Sequence, residues 1–90
     1  MATANFLIAP EDGWIAVTSA GVDYIRIRSN TTNQPFFITT DSTPPAANVQ
    51  GYKVDCGEIC IDSPVADNFY VRAGDTVAGK SRFDVFFVAT

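Results

Sequence analysis

The chain has 90 residues, 47% of them hydrophobic and 18% charged, with six basic and ten acidic side chains, a net charge of -4 and no histidine. That size holds one domain, that balance opposes disorder, and no apolar run approaches the roughly 20 residues of a membrane-spanning helix. The acidic charge disfavours nucleic acid and anionic lipid as partners, and the lack of histidine removes the commonest general base and metal ligand. We expect a single β domain over residues 1–90. One Leu, one Met, two Glu and two Lys leave few helix formers, whereas Val, Ile, Thr, Phe and Tyr are abundant.

Met1 to Asn5 carries neither a basic region nor a long apolar core, so synthesis in a cytosol is the expectation and the segment reads as an N-terminal arm. Residues 6–9 form the first predicted strand. Pro10-Glu11-Asp12-Gly13 is a turn, because Pro fixes one backbone angle and Gly supplies the left-handed one, and residues 14–19 follow as a strand. Residues 23–29 alternate: Ile25 and Ile27 face one side, Tyr24, Arg26 and Arg28 the other. A loop at 30–34 leads to a strand at 35–40, where Pro35 is tolerated only at the start or on an edge.

Residues 41–48 have no periodicity and read as an exposed loop. Strands at 50–55 and 58–62 are expected to make a hairpin around Cys56-Gly57, with Val54 opposite Ile59 and Asp55 near Glu58. Strands at 67–73 and 82–89 complete about eight, and a short extra one is read at 76–78. Spacing of roughly ten residues predicts a small antiparallel β-sandwich or jelly-roll-like barrel. In the last strand Phe83, Val85 and Phe87 alternate with Arg82, Asp84, Phe86 and Val88. Its second half is apolar on both faces, so it is either central and covered or turned to a partner subunit.

Chemistry-bearing patterns are few. There is no Ser-His or Cys-His pair and no glycine-rich phosphate loop, so no enzymatic activity is expected. Asp55 and Glu58 are the nearest carboxylate pair and read as turn residues. Cys56 and Cys60 are too few for a structural zinc site and, on one straight strand, about 13 Å apart, so they read as free thiols. Asp41, Asp62, Asp67 and Asp75 match no compact calcium loop, and Asn30-Thr31-Thr32 reads as a turn rather than a glycosylation site. No cofactor is expected. Tyr24-x-Arg26-x-Arg28 and Tyr70-x-Arg72 set aromatics beside guanidiniums, which suits a solvated face with ion pairs, an intersubunit contact, or stacking of a base or sugar.

The Met-Ala-Thr start, Gly13-Trp14-Ile15-Ala16-Val17, and Asp67-Asn68-Phe69-Tyr70-Val71-Arg72-Ala73-Gly74 followed by a hydrophobic last strand resemble small virion accessory proteins of tailed bacteriophages. The resemblance lies in length and strand layout over most of the chain. It implies a β-sandwich or jelly roll that sits on the capsid shell as a decoration or cement protein, commonly a homotrimer, or serves in the tail or fibre. It also implies a virion location, self-association and the major capsid protein or another virion protein as partner. On that reading Trp14, Phe36, Phe37, Phe86 and Val88 are the expected contacts, with Tyr24, Arg26, Arg28, Tyr70 and Arg72 giving polar register. A glycan- or partner-binding module of a tail or fibre is the alternative. A single-strand-binding barrel is a third, which the acidic charge opposes.

Overall fold

The computed structural model describes residues 2–18, 21–29, 35–46, 48–55, 57–74 and 81–89. They form eight strands: β1 (Ala2–Ile8), β2 (Ile15–Ala16), β3 (Val22–Ser29), β4 (Phe36–Asp41), β5 (Tyr52–Val54), β6 (Glu58–Ile61), β7 (Asn68–Ala73) and β8 (Ser81–Ala89). The expected short strand at 76–78 and loop at 30–34 lie outside the described residues. Two antiparallel four-stranded sheets result, ordered β1-β8-β3-β6 and β2-β7-β4-β5. The pairs β1 with β8, β2 with β7, β3 with β6 and β4 with β5 are those of one long antiparallel ribbon rolled on itself. That is the jelly-roll order, laid out as a sandwich of two open sheets rather than a closed barrel.

Alternation explains the layering. Ile25 and Ile27 on β3 and Phe83 and Val85 on β8 point inward and are almost fully buried. They meet Phe36 and Ile38 of β4 and Phe69 and Val71 of β7 from the facing sheet. The rings of Phe36 and Phe83 pack edge to face, 5.1 Å between centroids, and join the sheets at the centre of the core. β8 is central in its sheet, hydrogen-bonded to β1 and to β3, while Phe86 and Val88 on its outward face stay half-buried.

Three expectations need correction. Residues 2–5, read as an arm, are the first half of β1 and lie in register with β8, Asn5 opposite Asp84. A strand with open hydrogen-bonding groups next to β8 gains more by pairing than by remaining free. The hairpin around Cys56-Gly57 does not form: β5 pairs with β4 in one sheet and β6 with β3 in the other, so Val54 lies opposite Phe36 and Ile59 opposite Ile27. Both strands have an apolar face, and crossing between sheets buries both in the same core. Gly57, at φ 81°, turns the corner, and its carbonyl accepts from the Ser29 amide at 2.7 Å. The strand at 14–19 shortens to two paired residues. Beyond them the Val17 amide still reaches the Phe69 carbonyl, and the Thr18 hydroxyl accepts from the Phe69 amide at 2.9 Å. The turn after β1 is a single 3-10 turn over Pro10–Asp12, in which the Asp12 carboxylate accepts from the Ala9 amide.

Candidate functional site

Two outward sheet faces hold most of the expected contact residues. On the β1-β8-β3-β6 sheet, period-2 alternation sets Tyr24, Arg26 and Arg28 of β3 beside Val88, Phe86 and Asp84 of β8, with Thr3, Asn5 and Leu7 of β1 beyond. Arg26 and Arg28 are exposed, whereas Tyr24, Phe86 and Val88 are half-buried. The Tyr24 and Phe86 rings meet at 5.9 Å, edge to face. Arg26 pairs with Glu58 at 2.6 Å, and Asp84 takes Arg28 at 3.5 Å and Arg82 at 3.6 Å. Each such exposed pair contributes about 0 to 1 kcal/mol, so the pairs set side-chain direction more than stability.

Together Arg26, Arg28, Arg82, Asp84, Thr3, Asn5 and Phe86 line a groove of about 380 Å³. Three of the six basic side chains of an acidic chain therefore gather on one face, opposed there by two carboxylates, Glu58 and Asp84. Cys60 lies on the same face and is an exposed free thiol; Cys56 lies outside the described residues. A hydrogen bond with Cys60 is the largest cause raising the Tyr24 phenol above its ordinary value. Partial burial and the electrostatics of Cys60 and Asp62 add to it, and Arg26 opposes.

The outward face of the other sheet is used internally. Arg72 on β7 lies opposite Phe37 on β4, and its guanidinium carbon sits 4.3 Å from the Phe37 ring centroid and 5.4 Å from that of Trp14. The Trp14 indole N–H donates to the Val49 carbonyl at 3.2 Å. A Cβ at Gly51 would lie 2.5 Å from the indole edge, so the ring rests on that glycine. Trp14 leads into β2 and Gly51 into β5, the two edges of this sheet, so the indole lies across it and holds Val49 and Gly51 there. Tyr70 on the same face is only 3% exposed.

The expected set thus divides. Tyr24, Arg26, Arg28, Phe86 and Val88 share one outward face. Phe36, at 1% exposure, is a core residue, and Tyr70 is buried; neither is available as a surface contact, because their strands turn them against other parts of the same chain. Trp14, Phe37 and Arg72 are half-buried and engaged with one another. Asp55 pairs with Lys53 at 3.5 Å and Glu58 with Arg26. Among the described residues no three Cys, Asp or Glu side chains cluster as a metal would require, and no helix is long and apolar enough to cross a membrane.

One feature escaped the sequence reading. Where β5 and β6 part to opposite sheets, an open groove of about 560 Å³ lies between them, lined by Ile38, Thr39, Tyr52, Ile59, Ile61 and Phe69 among others. Tyr52 stands 64% exposed at its rim. Gly51, inside what reads as a strand, was the available signal, since an interior glycine marks a bulge or a close approach. No family model, curated protein or solved structure matches this chain.

Proposed function

We propose that the chain is a structural assembly protein that associates with itself and docks on a repetitive shell, as a decoration or cement protein does on a tailed-phage capsid. The observation that carries this reading is the outward face of the β1-β8-β3-β6 sheet. It combines Tyr24, Phe86 and Val88 with three arginines, and adds Leu7 at 64% exposure. Apolar groups in register with guanidiniums suit a protein surface, because the first contribute desolvation and the second fix orientation. Docking strengthens a shell by buried area alone, about 800 Å² per contact repeated over the lattice, with no bond made or broken. Jelly rolls occur among viral capsid and lectin domains, and the fold-level analogy supports the reading.

The test is co-sedimentation of the purified protein with empty tailed-phage heads assembled from a major capsid protein. Saturable binding is expected, and Arg26→Glu with Arg28→Glu should weaken it about tenfold or more while the fold persists. No binding at micromolar protein overturns the reading. A second reading, a glycan- or partner-binding module of a tail or fibre, draws on the β5/β6 groove with Tyr52, Thr39 and Thr40 at its wall. Trp14 does not favour it, since its N–H is already given to Val49. Saccharide-array binding lost on Tyr52→Ala, without shell binding, would select this second reading.

A further inference from the structure

Each sheet ends in two edge strands, and three of the four edges carry features that discourage pairing with another chain. β2 has two residues; β5 has three and bears Lys53, ion-paired with Asp55; β6 has four and begins with Glu58. β1 differs in every respect. Its seven residues, Ala-Thr-Ala-Asn-Phe-Leu-Ile, hold no charge and no proline, run in unbroken register with β8, and are paired on one side only among the described residues. Thr3, Asn5 and Leu7 are exposed along it.

We propose that β1 pairs edge to edge and antiparallel with β1 of a second copy, across a twofold axis at Asn5, so that two four-stranded sheets become one of eight. The inference rests on the self-association in the reading above, and not on shell docking. Asn5 is the midpoint of Ala2–Ile8, so pairing centred there uses all seven residues. On the inward side Ala4 then faces Phe6 of the partner subunit, small against large; on the outward side Thr3 faces Leu7 of the partner subunit. The two Asn5 amides, each with donors and an acceptor, meet at the axis. Centring on Phe6 or Ala4 instead would leave only five paired residues, and on Phe6 would set two phenylalanines against each other. The symmetry this edge supplies is twofold, which replaces the trimer expected from the resemblance.

The experiment places single cysteines at positions 5, 3 and 7 (Asn5→Cys, Thr3→Cys, Leu7→Cys) in a Cys56→Ser, Cys60→Ser background. Directly opposed residues lie about 4.5 to 5.5 Å apart at Cα, within disulfide reach, whereas the two copies of position 3 or 7 would be about 13 Å apart. Mild oxidation should cross-link Asn5→Cys and leave the other two unlinked. Light scattering should give a dimer for the unmodified chain, weakened about tenfold or more by Asn5→Lys, which opposes two ammonium groups at the axis. A monomer at up to about 100 µM, an oligomer whose mass ignores Asn5→Lys, or equal cross-linking at all three positions overturns the pairing. Loss of shell binding with the dimer intact would overturn only the docking reading, and shell binding by a monomer only this one.

Discussion

Gly51 and Gly57 adopt nearly the same left-handed backbone, φ 71° and 81°, in very different surroundings. A Cβ at Gly57 meets nothing within 4 Å, while one at Gly51 runs into the Trp14 ring and the Ile38 carbonyl oxygen, 2.7 Å away. Gly57→Ala should therefore cost about 1 to 2 kcal/mol, from backbone conformation alone. Gly51→Ala should cost about 3 kcal/mol or more, because overpacking adds to the same penalty. Urea unfolding of both, repeated with Trp14→Ala, checks this: the gap between the glycines should narrow without the indole and persist in part through Ile38. Tyr24 supplies a second prediction. Its raised pKa means that the folded state holds the phenol proton above pH 10, where the unfolded chain has begun to release it. This contribution to stability is complete below about pH 10 and is lost as pH rises through the folded value. Tyrosinate absorbance should show the late titration, and Cys60→Ala should move it back towards the ordinary value.

At the scale of elements, β1 carries the sharpest consequence. A free arm can be removed without harm, but residues 2–5 cover Phe87, Phe86, Val85 and Asp84 of β8. Deleting residues 2–5 should lower the melting temperature by about 10 °C or more, several kcal/mol in a domain of this size. A truncated protein that melts with the parent would show that the first half of β1 contributes nothing to the sheet. The crossover between β5 and β6 matters equally, since it puts these neighbours in sequence on opposite sheets and opens the groove beside Tyr52. The Val22–Val65 bridge, with amide-to-carbonyl distances of 2.9 and 2.8 Å, then ties the return connection to the start of β3 before the chain enters β7.

At the scale of the whole molecule, stability rests on one core between two sheets, which Phe36 and Phe83 bridge. Phe83→Ala should cost about 3 to 5 kcal/mol, a large part of the about 5 to 15 kcal/mol that holds a typical domain together. A double-mutant cycle with Phe36→Leu should return a coupling of about 0.5 to 1.5 kcal/mol for the ring pair. Chemical denaturation measures both, and additive losses would mean that the two rings act independently. The outward faces play no such part: one is tied down by Trp14, and the other presents the aromatic and arginine row on which the proposed docking depends.

The amino-acid sequence by itself determined the all-β class, the approximate place of the eight strands among the described residues, and the inward and outward faces of β3 and of the first half of β8. Those follow from residue choice and from the twofold period of a strand, both local properties. It also placed Tyr24, Arg26 and Arg28 on one face, because a single strand suffices to decide that. Tertiary structure alone decided which strands are neighbours, and hence that Val54 meets Phe36 rather than Ile59. It alone decided that Phe36 and Tyr70 are buried while Phe86 and Val88 remain half-exposed, since adjacent apolar residues on a strand must face opposite ways and only the layer above tells which side is covered. Pairing in a jelly roll joins residues from opposite ends of the chain, β1 with β8. No local pattern carries that information, because it is the shared core that selects among pairings equally compatible with each strand taken alone.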